Sequence, residues 1–184
     1  MAGIGHNNGP TMEKGRAWRR YAWTRARADL LPKLPLEVAR RRVRRARELG
    51  IDYASYAGIR AATGRDIVAL LFSTNALAAL RDLNIPEDRE AAVRAVRGAD
   101  LLAMVQPPLD PLSFGARHPV FIRTARAPGL SSTWRETGRC LSDLSGAIPR
   151  DGVVVIGATH IERDWVAAGR LAGFIKAERY FASH

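Results

Sequence analysis

The chain has one cysteine, three lysines, four histidines and an aromatic content of 7%. With Cys140 alone, no intrachain disulfide framework is possible. The histidines are scattered without metal-ligand spacing, and His118 merely precedes Pro119, so neither a metal nor a cofactor is expected. No pair of carboxylates and no Ser/His/Asp arrangement names a reaction. The opening MAGIGHNNGPTMEKG has neither a basic n-region nor an apolar h-region, so no secretory signal is read there. The longest strongly apolar run, Ile67 to Phe72, is too short for a bilayer span. No transmembrane segment is therefore expected, and the reading is a cytoplasmic protein.

What the chain has in quantity is arginine, 26 residues in 184. Thirteen of the 29 basic residues fall in the first 50 positions, against four acids. The net charge of +11 is thus concentrated at one end, and the remainder is nearly neutral. Such asymmetry suits a polyanion at the basic end. Arginine also offers phosphate a planar, bidentate fork that lysine lacks. A GC-rich genome gives the same arginine bias without function, so position carries more weight than number.

Residues 1–15, rich in Gly and Asn, read as a disordered tail. Residues 16–98 read as a basic helical domain, and 99–184 as a small α/β unit with a C-terminal helix. The fold class expected is α+β, a mainly helical N-terminal region packed on a small α/β C-terminal unit. Within the first part, Arg16 to Leu31 has helical character with Trp18, Tyr21 and Trp23 among its arginines. Pro35 opens a second helix, closed by Gly50. On it Leu36, Ala39, Val43 and Ala46 form one apolar stripe. A third helix is expected over 53–62. A fourth, from Arg65 to about Arg81, is apolar over most of its surface and is read as the central helix of the core. Asn84-Ile-Pro-Glu87 opens a fifth, reaching about Arg97.

Leu101 to Val105 fits a buried strand or a short helix, and periodicity does not separate the two. Residues 106–112 read as extended, and Pro119 to Thr124 as a strand. Thr133 with Glu136 has capping-box spacing and opens a helix to about Leu144. Val153 to Ile156 gives the strongest strand signal. A further box, Thr159 with Glu162, opens a helix continuing to about Tyr180.

Three groups of residues could carry function. Arg40, Arg41, Arg44, Arg45 and Arg47, on the helix of 35–49, suit contact with backbone phosphates. Arg16, Arg19, Arg20, Arg25 and Arg27 would assist them. The principal expectation is therefore a nucleic-acid-binding regulatory protein, directed at DNA, whose arginine-rich helix supplies affinity. Residues 53–80 also suggest a helix-turn-helix with Ser73, Thr74 and Asn75 near base edges, although its second helix is too apolar for a groove.

The alternative is a small enzyme or ligand sensor acting on a phosphorylated or nucleotide ligand in the C-terminal half. Its anion site would combine Arg126, Ser132, Thr133, Arg135 and Arg139 with Thr159 and His160, a histidine suited to acid–base work. Cys140 beside Arg139 would have a lowered pKa there, or else is a buried structural cysteine. A third reading is an adaptor forming a homodimer through the apolar helix 67–80.

Overall fold

The computed structural model describes residues 35–182. The helix expected at 16–31, its arginines and the tail of 1–15 lie outside the described residues. Chain contacts divide the protein at Ala39, and from Arg40 onward the described residues form one compact unit.

Helix α1 spans Leu36–Glu48, with Glu37 in its first turn and Arg45 and Arg47 in its last. These charges sit favourably on the helix dipole. Gly50, at φ 67°, turns the chain out of it. Helix α2, Tyr53–Thr63, starts where Asp52 accepts the amide of Ser55 and stops at Gly64, φ 71°. Strand β1 is Ala69–Ser73, and α3 is Glu87–Ala95. Strand β2, Asp100–Val105, leads to helix α4, Pro111–Arg117, and strand β3, Arg123–Arg126. Helix α5 spans Trp134–Ser145; a short 3-10 turn then enters β4, Val153–Gly157. Helix α6, His160–Gly169, strand β5, Gly173–Lys176, and the five-residue helix α7, Ala177–Phe181, complete the order.

All four strand pairings are parallel, in the order β3-β2-β1-β4-β5. Central β1 sets Phe72 beside Ala103 of β2 and Ile156 of β4. Its side chains alternate between two cores. Leu70 and Phe72 join Ala46, Leu49, Tyr56, Val93, Phe114 and Tyr180 on one face, while Ala69 and Leu71 join Leu141, Leu144 and Trp165 on the other. Helices from the N-terminal region thus pack against an α/β region of alternating helices and strands. That is the α+β arrangement the sequence suggests. Among the described residues no helix is long and apolar enough to cross a membrane.

Four elements differ from expectation, one of them β3, expected over 119–124 and found at Arg123–Arg126. The stretch read as a helix from Arg65 to Arg81 is β1 followed by a turn. Every residue of β1 is buried, and a strand covered on both faces shows no alternation that separates it from a buried helix. The same stretch accordingly offers neither a recognition helix nor a helical face at 67–80 for a second copy. The end of the segment read as extended, 111–112, instead opens helix α4, because Asp110 caps the Ser113 amide and Pro111 fits the first turn. The last helix ends early: Arg170 takes a left-handed conformation, φ 54°, and the chain re-enters the sheet as β5. The ambiguous segment 101–105 is strand.

Candidate ligand-binding site

The chain leaves β1 for β2 and β3 on one side, then returns to the other side for β4 and β5. This reversal is of the doubly wound, Rossmann-like kind. In such sheets ligands bind beyond the carboxyl ends of the strands, at the point where the order reverses. Here that point lies between β1 and β4, so Ser73-Thr74-Asn75 faces the segment Gly157-Ala158-Thr159-His160.

These groups largely satisfy one another. Ser73 Oγ accepts the Ala76 amide at 3.0 Å, and Thr74 Oγ1 accepts the Gln106 amide at 3.0 Å. Glu162, 1% exposed, places its carboxylate over the start of α6. Its Oε2 accepts the amides of Ala158 at 2.6 Å and Thr159 at 3.0 Å, and Asn75 Nδ2 donates to Oε1 at 2.8 Å. Thr159 Oγ1 in turn accepts the Glu162 amide. Helix starts attract anions because their first amides lack partners. At α6 the chain's own carboxylate meets that demand. Thr159 is therefore committed to its capping box, and His160 is exposed beside it.

A cavity lies elsewhere, along edge strand β3 beneath α5. It measures about 610 Å³ and is lined by Arg123, Thr124, Arg126, Arg139, Cys140 and Asp143 among others. Two of the arginines singled out in the sequence, Arg126 on β3 and Arg139 on α5, thus line one cavity. Neither guanidinium hydrogen-bonds or ion-pairs with another described residue. Arg123 is differently placed: its Nη1 donates to the Leu144 carbonyl at 3.3 Å and lies over Gly146, where a Cβ would overlap it.

No protein-family model matches the chain, and no curated protein or solved structure matches it either.

The other residues of the expected anion cup are dispersed. Thr133 is spent on its capping box: its hydroxyl donates to Glu136 Oε2 at 2.8 Å and accepts the Glu136 amide. Hydrogen bonds from the Thr133 backbone and hydroxyl hold the Glu136 carboxyl below its usual range, with a further contribution from Arg139. Ser132 lines a separate cavity of about 240 Å³ on the other side of α5. Arg135 and His160 are exposed and line neither cavity. The thiol of Cys140 is pushed up by burial and by the Asp143 charge, and it donates to the Arg126 carbonyl at 3.3 Å. The lowered pKa expected from its neighbour Arg139 is not found; the charge that acts on the thiol comes from Asp143, one turn along the same helix.

The arginine helix divides in two. Arg40, Arg41, Arg44 and Arg47 are exposed. Arg45 is turned inward: Nη2 donates to the carbonyls of Ile67 and Gly98, both at 2.9 Å, and Nε pairs with Asp66 at 3.3 Å. It is a structural clamp with little charge left for a phosphate. The arginines at 16, 19, 20, 25 and 27 lie outside the described residues. His118 is buried, its Nε2 2.6 Å from the Leu83 carbonyl. Among the described residues no cluster of three His, Cys, Asp or Glu side chains is placed to hold a metal ion.

Sequence reasoning missed Glu162 as a buried ligand of the switch point, although its capping-box spacing signalled the contact with Thr159. It also missed Trp134 and Asp164, which line the smaller cavity. Their spacing carries no motif, and only the packing of α5 on α6 brings them together.

Proposed function

We propose that the chain is a ligand-binding protein, a sensor or small enzyme, that takes a phosphorylated or nucleotide ligand in its C-terminal half. One observation carries this reading: two guanidinium groups, Arg126 and Arg139, that make no hydrogen bond or ion pair with another described residue line a cavity of about 610 Å³. That volume falls within the roughly 300–1,000 Å³ of small-molecule sites. Guanidinium forks match phosphate oxygens in geometry as well as charge. The parallel sheet supplies a rigid wall, and α5 is fixed at its start by the Thr133–Glu136 box. With its single cysteine the protein suits the reducing cytoplasm.

Calorimetric titration with pyrophosphate and ADP tests the reading. Arg126→Ala and Arg139→Ala should each weaken binding about tenfold or more, since a charge-assisted hydrogen bond contributes about 1.5–3 kcal/mol. Their unfolding midpoints should stay at the wild-type value. Failure of both probes to bind at millimolar concentration, or affinity indifferent to both substitutions, rejects it.

The exposure of Arg40, Arg41, Arg44 and Arg47 favours a second reading, nucleic-acid binding through α1. On this reading Arg41→Ala with Arg44→Ala weakens binding across all sequences and lowers the salt slope by up to about 2, one per lost phosphate contact. A salt-controlled shift assay showing unchanged affinity would remove it.

A further inference from the structure

We propose that the smaller cavity, between the start of α5 and one face of α6, is a binding site for a guanine base. The cavity is lined by the loop leaving β3, the first turn of α5 and one face of α6, from Ile161 to Ala168, elements that follow the carboxyl ends of β3 and β4, near which doubly wound folds place ligands. Its volume of about 240 Å³ suits a single ring system rather than a drug-sized molecule.

Its lining includes large, apolar side chains that are exposed. Trp134 is 60% exposed and Leu130 89%, whereas Trp165 in the cavity floor is 2% exposed. A tryptophan left in water at a cavity mouth is a stacking surface without a partner. It is also firmly mounted, because it is the first residue of α5 and follows the capping residue Thr133. Stacking on such a ring accepts any base, since every base has a π-face.

Selectivity comes from the polar side chains. Asp164 lines the cavity and forms no ion pair with another described residue. A carboxylate only accepts hydrogen bonds, and its two oxygens accept best from two adjacent donors. Guanine presents such a pair in its ring N–H and its exocyclic amine. Adenine and cytosine set an acceptor nitrogen beside their amine, which a carboxylate repels. The hydroxyls of Ser132 and Thr137 line the same cavity, and each can donate to the guanine carbonyl or ring nitrogen.

This inference goes beyond the Arg126–Arg139 cavity and stands independently of it. The test therefore uses nucleosides, which carry no phosphate. Guanosine, adenosine, cytidine and uridine are titrated into the full chain at fixed salt, followed by calorimetry. Guanosine should bind most tightly. Trp134→Ala should weaken every nucleoside roughly tenfold, with Trp134→Phe restoring most of the loss. Asp164→Asn should lower guanosine affinity about tenfold and strengthen adenosine binding, because the amide donates to the nitrogen that the carboxylate repels. Arg139→Ala should change none of these values.

Equal affinities for the four nucleosides, or no binding at millimolar concentration, overturn the proposal. So does guanosine binding indifferent to Trp134→Ala. A dimer detected by light scattering and dissolved by Trp134→Ala would assign the rim to a second copy instead, which also overturns it. Both positions are at the surface, and an unchanged melting curve shows that the variants are folded.

Discussion

Replacing Phe72 by alanine should lower the unfolding free energy by about 3–5 kcal/mol, the usual range for deleting a buried aromatic ring. The ring is fully buried in the central strand. It meets Tyr180 edge-on at 5.5 Å, Phe121 at 6.0 Å and Phe181 at 6.5 Å. One side chain therefore joins β1 to the segment before β3 and to α7. Alanine would leave a cavity that β1 cannot close, because Ala103 and Ile156 on the flanking strands hold its backbone in register. A domain of this size has a total stability of roughly 5–15 kcal/mol, so the variant loses a large share of it. Urea unfolding is the measurement. A loss below about 1 kcal/mol would show that Phe72 is not at the centre of the core.

Arg45→Ala should cost about 2–4 kcal/mol, although Arg45 reads in the sequence as one more surface charge. Its side chain is 18% exposed. It bonds the carbonyls of Ile67, Arg97 and Gly98 and pairs with Glu48 and Asp66. Hydrogen bonds involving a charged group contribute about 1.5–3 kcal/mol each, and removing the donor leaves part-buried acceptors without partners. Asp66 would keep its bonds to Tyr56, at 2.7 Å, and Arg60, at 3.3 Å, which sets the upper limit on the loss. Gly98 belongs to the same clamp. It sits at φ 69°, and a Cβ there would lie 2.7 Å from the Arg45 guanidinium. Exposed Arg41, by contrast, should change stability by less than about 0.5 kcal/mol when replaced by alanine. Parallel urea curves for the two variants separate the clamp from the exposed charges, and equal midpoints would refute the distinction.

That contrast also shows where the sequence is legible. Signals that act over one helical turn can be read directly. The Thr133–Glu136 and Thr159–Glu162 boxes both form, and α1, α2, α3 and β4 lie near their expected places. Signals that depend on the sheet are not legible in this way. Ile67 to Phe72 is apolar on every side, and only pairing with β2 and β4 makes it a strand. The Ser73-Thr74-Asn75 that follows is the local cue against a continuing helix, since such side chains close turns on their own backbone. Ser73 does this at the Ala76 amide. At the site, residue type identified Arg126 and Arg139 but not which neighbours were already engaged. Thr133 and Thr159 carry suitable hydroxyls, yet each serves its own helix start. A sequence shows that a group can bind; only the packed chain shows whether it is still free to do so.

The parallel pairing of Ala69 with Val153 has a consequence for how the molecule is made. The middle of the sheet closes only when β4 arrives, after α3, β2, α4, β3 and α5 have all left the ribosome. Until then β1 has a neighbour on one side only, and its other edge remains open to any strand nearby. Long-range parallel pairing of this kind slows folding and lengthens the exposure of sticky edges. Synthesis halted before Val153 should therefore yield a chain that aggregates. The chain from Val153 onward completes the core as well as extending it.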